Sequence, residues 1–133
     1  MERKEPYATQ EEFNRRVVRY QDVPLIELAP GLNSHIVSAE KITVSFVTTE
    51  PNCHLPIHRH ESEQITIVLD GAADFILDGK LYPLEKGDVF IIPSNSVHGA
   101  YVSEKGCRTI EVFAPPRHDL VEKLEALKKS LQT

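Results

Sequence analysis

Three histidines and a glutamine are the residues of this chain best suited to chemistry. His58 and His60 stand two apart, and on a β-strand side chains two apart leave the same face. The pair therefore aims two imidazoles at one point. His98 follows a second strand-like run and supplies a third imidazole, and Gln64 adds a carboxamide. Imidazole suits Zn, Fe, Ni, Cu and Mn, so the expected cofactor is one divalent metal ion, with Zn, Ni, Fe and Mn as the candidates. A lone His-x-His reads equally well as a surface pair. The third histidine turns the reading toward a ligand set.

The run 65–69 (Ile-Thr-Ile-Val-Leu) alternates, so Gln64, Thr66 and Val68 share one face and Ile65, Ile67 and Leu69 the other. If the first face is internal, Gln64 points toward the histidines. It either joins them as a ligand or only hydrogen-bonds a neighbour. Glu63 competes for that place only if the strand bulges. His35, His54 and His118 have no comparable context and read as surface or structural histidines.

A second cluster lies at Glu111-Val112-Phe113-Ala114-Pro115-Pro116-Arg117. Glu111 and Phe113 share a strand face. A carboxylate on an inner face can move protons, and an arginine held at the rim by two prolines can grip a substrate carboxylate with paired hydrogen bonds. Glu111 and Arg117 are thus the expected catalytic pair, with Phe113 and Arg117 binding substrate. The alternative is a solvated Glu111, a core Phe113 and an Arg117 that only neutralises the start of the last helix.

The elements that must position these groups are mostly short strands. Thr9-Gln10-Glu11-Glu12 reads as a capping box opening a helix from about residue 10 to 18. Strand-like runs follow at 24–28, 42–49, 65–69, 75–77, 81–82, 88–92, 97–102 and 107–113, with Asp-Gly turn signals at 70–71 and 78–79. This pattern predicts an all-β sandwich or barrel. After Pro116 the period changes. Leu120, Leu124, Leu127 and Leu131 recur at helical spacing, with lysines late in the segment. That helix is expected to pack on the barrel or on a partner.

The 133 residues suffice for one domain with a core. A net charge of −5 argues against nucleic-acid binding. No apolar run reaches membrane length, and the first residues lack the apolar core of a signal peptide. Cys53 and Cys107 are the two cysteines and form no Cys-x-x-Cys pair, which fits free thiols in a reducing cytoplasm.

These residues resemble a known family, the single-domain cupins. Asn52, His58, His60, Gln64 and Gly71 occupy the spacings of the first cupin motif, with Asn52 in place of a glycine and Gln64 in place of the usual glutamate. Gly87, Pro93, Asn95 and His98 fit the second, with Asn95 in place of a glycine. Asparagine tolerates positive φ, so the exchange at Asn95 is mild. The resemblance covers roughly residues 40–115. It implies a double-stranded β-helix (jelly-roll barrel) with a short N-terminal and a C-terminal helix, a metal held by His58, His60, Gln64 and His98, and a homodimer. The expected organisation is an N-terminal extension at 1–35 packing on the barrel or a partner subunit, a barrel at 36–116 and a terminal helix at 117–133.

Gln64 and the Glu111–Arg117 run narrow the resemblance to the KdgF-like pectin-degradation cupins, in which an aspartate stands where this chain has Glu111. It implies an isomerase- or lyase-like enzyme converting unsaturated monouronates to an open-chain keto form. A metal-dependent dioxygenase and a non-catalytic small-molecule binder are the alternatives.

Overall fold

The structure, a computed structural model, describes residues 2–132. Its first element is helix α1, Gln10–Arg16, which starts where the capping box requires. Thr9 accepts from the Glu12 N–H at 3.1 Å, and Glu12 accepts from the Thr9 N–H at 2.8 Å. The helix buries none of its residues. A single 3-10 turn, Tyr20–Asp22, follows and sets Tyr20 flat on Phe46, with ring centroids 4.0 Å apart.

Eight strands make up one sheet: β1 Ile26–Ala29, β2 Leu32–Ser38, β3 Thr43–Thr49, β4 His54–His58, β5 Glu63–Leu77, β6 Lys80–Glu85, β7 Val89–Ile92 and β8 His98–Ala114. The order is β1-β2-β3-β8-β5-β6, with β4 also on β8 and β7 also on β5. All pairings are antiparallel. β8 is the spine, since it pairs with β3, β4 and β5 along its length.

The alternation in β5 resolves as its sequence requires. Gln64, Thr66 and Val68 are buried, while Ile65 and Leu69 are exposed. One aliphatic cluster fills the inside: Val68, Ala73, Phe75, Phe90, Ile92, Ala100, Val102 and Cys107. A second joins Ile26, Ile36 and Phe113 to Leu120 and Leu124. The last two lie on helix α2, His118–Leu131, which packs on β1 and β2. Burying each leucine contributes about 2 kcal/mol, which holds α2 to the barrel.

Three features depart from the sequence expectation. Asp70-Gly71 is no turn. β5 runs through it as one strand with register shifts, and Gly71 takes φ +77°. A Cβ there would lie 2.1 Å from the Gly106 carbonyl oxygen, so the crossing of β5 and β8 demands glycine. The runs 97–102 and 107–113 likewise join into β8. Finally, β2 lies where no strand was expected, so the sheet begins upstream of residue 36. Its inward polar residue is Ser34, buried because its hydroxyl hydrogen-bonds that of Ser45. By contrast, Asp78-Gly79 is the expected hairpin turn, with φ of 48° and 81°. Cys53 and Cys107 are free thiols. No helix among the described residues is long and apolar enough to cross a membrane.

Candidate metal centre and active site

Asn52 and Asn95 adopt φ of 62° and 63°, so each takes the left-handed turn that a glycine would give. These turns deliver the histidines. β4 ends at His58, and His60 lies just beyond it in the following turn, so the pair spans a strand end rather than a strand. His58 pairs in register with His98 at the start of β8. Ring centroids lie 4.3 Å apart for His58–His98, 4.8 Å for His60–His98 and 5.6 Å for His58–His60. One nitrogen from each of the three lies within 4.8 Å of the others. Small ring rotations would close the set on one ion.

The hydrogen bonds fix which nitrogen faces inward. Nδ1 of His58, His60 and His98 bonds the backbone carbonyls of Pro56, Ser62 and Ser96 at 3.0, 2.9 and 2.8 Å. A carbonyl only accepts, so each Nδ1 carries the proton and each Nε2 keeps a lone pair. A backbone carbonyl holding Nδ1–H in this way is what orients metal-binding histidines. The Nε2 of His98 is buried without a hydrogen-bond partner among the described residues, an arrangement that costs about 1–3 kcal/mol unless something fills the lone pair. Gln64, 4% exposed, donates Nε2 to Thr66 Oγ1 at 2.8 Å and turns its Oε1 to within 3.1 Å of His60 Nε2. Two acceptors face each other there, which a cation between them would relieve. These residues fit a divalent metal. Burial depresses the pKa of His60 and takes that of His98 down to about 4, so both rings stay neutral and available as ligands near neutral pH. Glu63 is exposed on the opposite face, with no bulge beside it.

Behind the histidines the inner face continues in register. Gln64 pairs with Phe113, and Glu111 pairs with Ser45 on one side and Thr66 on the other. Glu111 is half-buried on the cavity wall, and burial of its carboxyl raises its pKa to about 7, against the opposing pull of Arg117 and a hydrogen bond from Thr109. A carboxyl balanced near neutrality can both give and take a proton.

Phe113 is 1% exposed, His60 stands edge-on to its ring at 5.5 Å and the Arg117 guanidinium lies 4.9 Å over it. Phe113 is a core residue of the cluster with Ile26, Ile36, Leu120 and Leu124, and its ring also borders the candidate site. Arg117 donates Nε and Nη2 to the Asp119 carboxylate at 2.9 and 2.8 Å, and its backbone N–H bonds Thr43 Oγ1 at 3.0 Å. Two side-chain donors are used, and the rest of the guanidinium remains to meet an anion. Asp119 escaped sequence reading, although its place two residues after Arg117 at a helix start was the available signal.

His58, Gln64, His98, Glu111, Phe113 and Arg117 all line one cavity of about 240 Å³. Leu28 and Leu32 of the β1–β2 hairpin, Leu55, Leu120 and Lys123 line it too. The hairpin contribution could not be seen in the sequence, because β2 itself was not recognisable there. His35 lies elsewhere, donating through Nδ1 to the Val23 carbonyl, and His54 stacks on Tyr101 at 4.5 Å.

Comparison with known proteins agrees with this geometry. The sequence model of a family described as Cupin domain matches residues 45–113. The pectin degradation protein KdgF of Dickeya dadantii (strain 3937) is 26% identical over 109 residues, covering 80% of this chain and 99% of that protein. H2HPP isomerase of Bacillus subtilis is 25% identical over 126 residues, 92% of this chain and 51% of that protein. The chain thus spans about half the length of that relative. Among solved structures, KdgF from Halomonas sp. matches with a TM-score of 0.70 at 28% identity, covering 77% of this chain and 94% of that one. An RmlC-like cupin from Shewanella frigidimarina gives 0.73 at 22% identity, covering 79% and 95%, a likeness of fold alone.

Proposed function

The chain belongs to the cupin domain family, and from that premise we propose that it is a metal-dependent enzyme shifting protons on a small carboxylate, a 4,5-unsaturated monouronate in the leading reading. His58, His60, Gln64 and His98 would hold one divalent ion. That ion would supply Lewis acidity toward a substrate oxygen, undiminished by any negative ligand because all four donors are neutral. The observation that carries the reading is the orphaned Nε2 of His98 in the cavity that also holds Glu111.

Arg117 would seat the substrate carboxylate on the donors Asp119 leaves unused. Phe113 would keep Arg117 and His60 in place. As the ring opens, the C1 hydroxyl would lose its proton and the bond from C1 to the ring oxygen would break, leaving an aldehyde at C1 and an enol at C5. Glu111, balanced near neutrality, would then deliver a proton to C4 and recover one from the enol oxygen as the open-chain C5 ketone forms. The likeness to two KdgF proteins and to an isomerase supports this type of proton shift. A cytoplasmic homodimer is part of the proposal, supported by the free thiols and by an exposed apolar face on β5 and β7.

The test is to give metallated protein freshly made unsaturated galacturonate and follow the sugar by NMR. Faster conversion than in a protein-free control supports the proposal. Conversion at the control rate rejects it for this substrate.

A further inference from the structure

The cavity has a second character besides its ligands and charges. Leu28 and Leu32 reach it from the β1–β2 hairpin, Leu55 from β4 and Leu120 from α2. None of these side chains carries a hydrogen-bond donor or acceptor. Leu28, Leu32 and Leu55 are only half-buried, so they retain surface to offer a ligand, and Leu120 is fixed in the core behind them. Anchoring charge lies beside them in Arg117, with Lys123 lining the same cavity. An anion tied to Arg117 must therefore place the rest of its body in a space partly walled by hydrocarbon.

A saturated sugar acid suits such a wall poorly. It carries a hydroxyl on almost every ring carbon, and a hydroxyl turned to a leucine loses its water without gaining a partner. A 4,5-unsaturated uronate is different, because the double bond has removed the 4-substituent and flattened that edge of the ring. We infer that Leu28, Leu32, Leu55 and Leu120 form a hydrocarbon subsite that selects small carboxylates whose ring is poor in hydroxyls. This inference rests on the proposed reading of the cavity as the substrate site, and it names the property of the substrate that the site selects. Charge complementarity sets the orientation, with the carboxylate at Arg117 and the bare edge of the ring on the leucines. The size agrees, since a cavity of about 240 Å³ holds one six-membered ring with its carboxylate.

Three non-reacting probes test this on the zinc-loaded protein by calorimetric titration. Acetate reports the anion anchor alone, cyclohexanecarboxylate adds a bare ring, and galacturonate adds a ring of the same size bearing hydroxyls. Cyclohexanecarboxylate is expected to bind at least tenfold more tightly than acetate and more tightly than galacturonate. In Leu32→Asn, and separately in Leu28→Asn, the advantage over acetate should fall to less than threefold. Acetate affinity should be unchanged, which shows in the same titration that the variant is folded. Equal binding of all three probes, binding of none, tighter binding of galacturonate, or an advantage that survives both substitutions overturns the subsite. Turnover of unsaturated uronate is scored separately. An enzyme that converts it yet prefers galacturonate to the bare ring keeps its proposed function and loses this subsite. A protein that prefers the bare ring yet converts no uronate keeps the subsite and loses the uronate reading.

Discussion

At the scale of single residues, the substitution of Gln64 for the family's glutamate and the burial of Glu111 are the two choices with chemical consequences. A glutamate at 64 would cancel one unit of the ion's charge. Gln64→Glu should therefore retain metal more strongly against a chelator while raising KM for an anionic substrate several-fold, measured by competition with a fluorescent chelator and by steady-state kinetics. Glu111→Gln should lower kcat by about 10²–10⁴-fold with little change in KM. The same variant has a stability signature. Folding raises the Glu111 pKa from an ordinary 4.5 to about 7, so it favours the protonated carboxyl. That contribution is full below 4.5 and is lost as pH rises through 7, a loss on the order of 3 kcal/mol. In chelator-treated protein, thermal melts should show wild type losing stability relative to Glu111→Gln between pH 5 and 9. A parallel pair of curves would contradict the enclosed carboxyl. The histidines that the fold brings together, and Gln64 beside them, were legible in the sequence because they stand at fixed distances from the turn residues Asn52 and Asn95. Asp119 was not, since its place two residues after Arg117 permits the ion pair without saying that Arg117 folds back onto it rather than into solvent.

Among the elements, the crossing of β5 and β8 and the docking of α2 bear the strain of holding the site. Gly71→Ala would set a methyl against the Gly106 carbonyl at 2.1 Å. It should destabilise by about 2–4 kcal/mol, read as a lowered Tm, whereas Gly79→Ala meets no atom within 4 Å and bears only the cost of its positive φ. Leu124→Ala should cost about 2–5 kcal/mol and loosen α2, with Arg117 and Asp119 at its start losing their fixed positions. Hydrogen exchange along 118–131 would report this. Sequence reading found both helices, because capping boxes and leucine periods are local signals. It divided β5 at Asp70-Gly71, because Asp-Gly serves a bulge as well as a turn, and β8 at the polar stretch 103–106, because in both places only the partner strand decides whether the strand runs on. It missed β2, whose Leu-Asn-Ser-His-Ile-Val-Ser looks polar until Ser34 finds Ser45.

At the scale of the whole molecule, the barrel turns its inner face to the site and leaves an apolar outer face. Ile65 of β5 pairs with Ile91 of β7, and Val89 lies two residues before Ile91 on the same face. These side chains are 40%, 60% and 59% exposed, in positions that a solvated strand would give to polar residues. The proposed homodimer would cover them. Light scattering should give twice the monomer mass, and Ile65→Glu combined with Ile91→Glu should halve it. A monomeric wild type would contradict the dimer without touching the site. β4, the turn after it, β5 and β8 bring His58, His60, Gln64 and His98 to one place, where they would hold one ion. Elemental analysis of protein purified without chelators and reloaded in solution tests it most directly. One divalent ion per chain in wild type, and background levels in a folded His98→Ala variant, is the predicted result. A wild type that takes up no metal, or a His98→Ala variant that keeps a full equivalent, would contradict it.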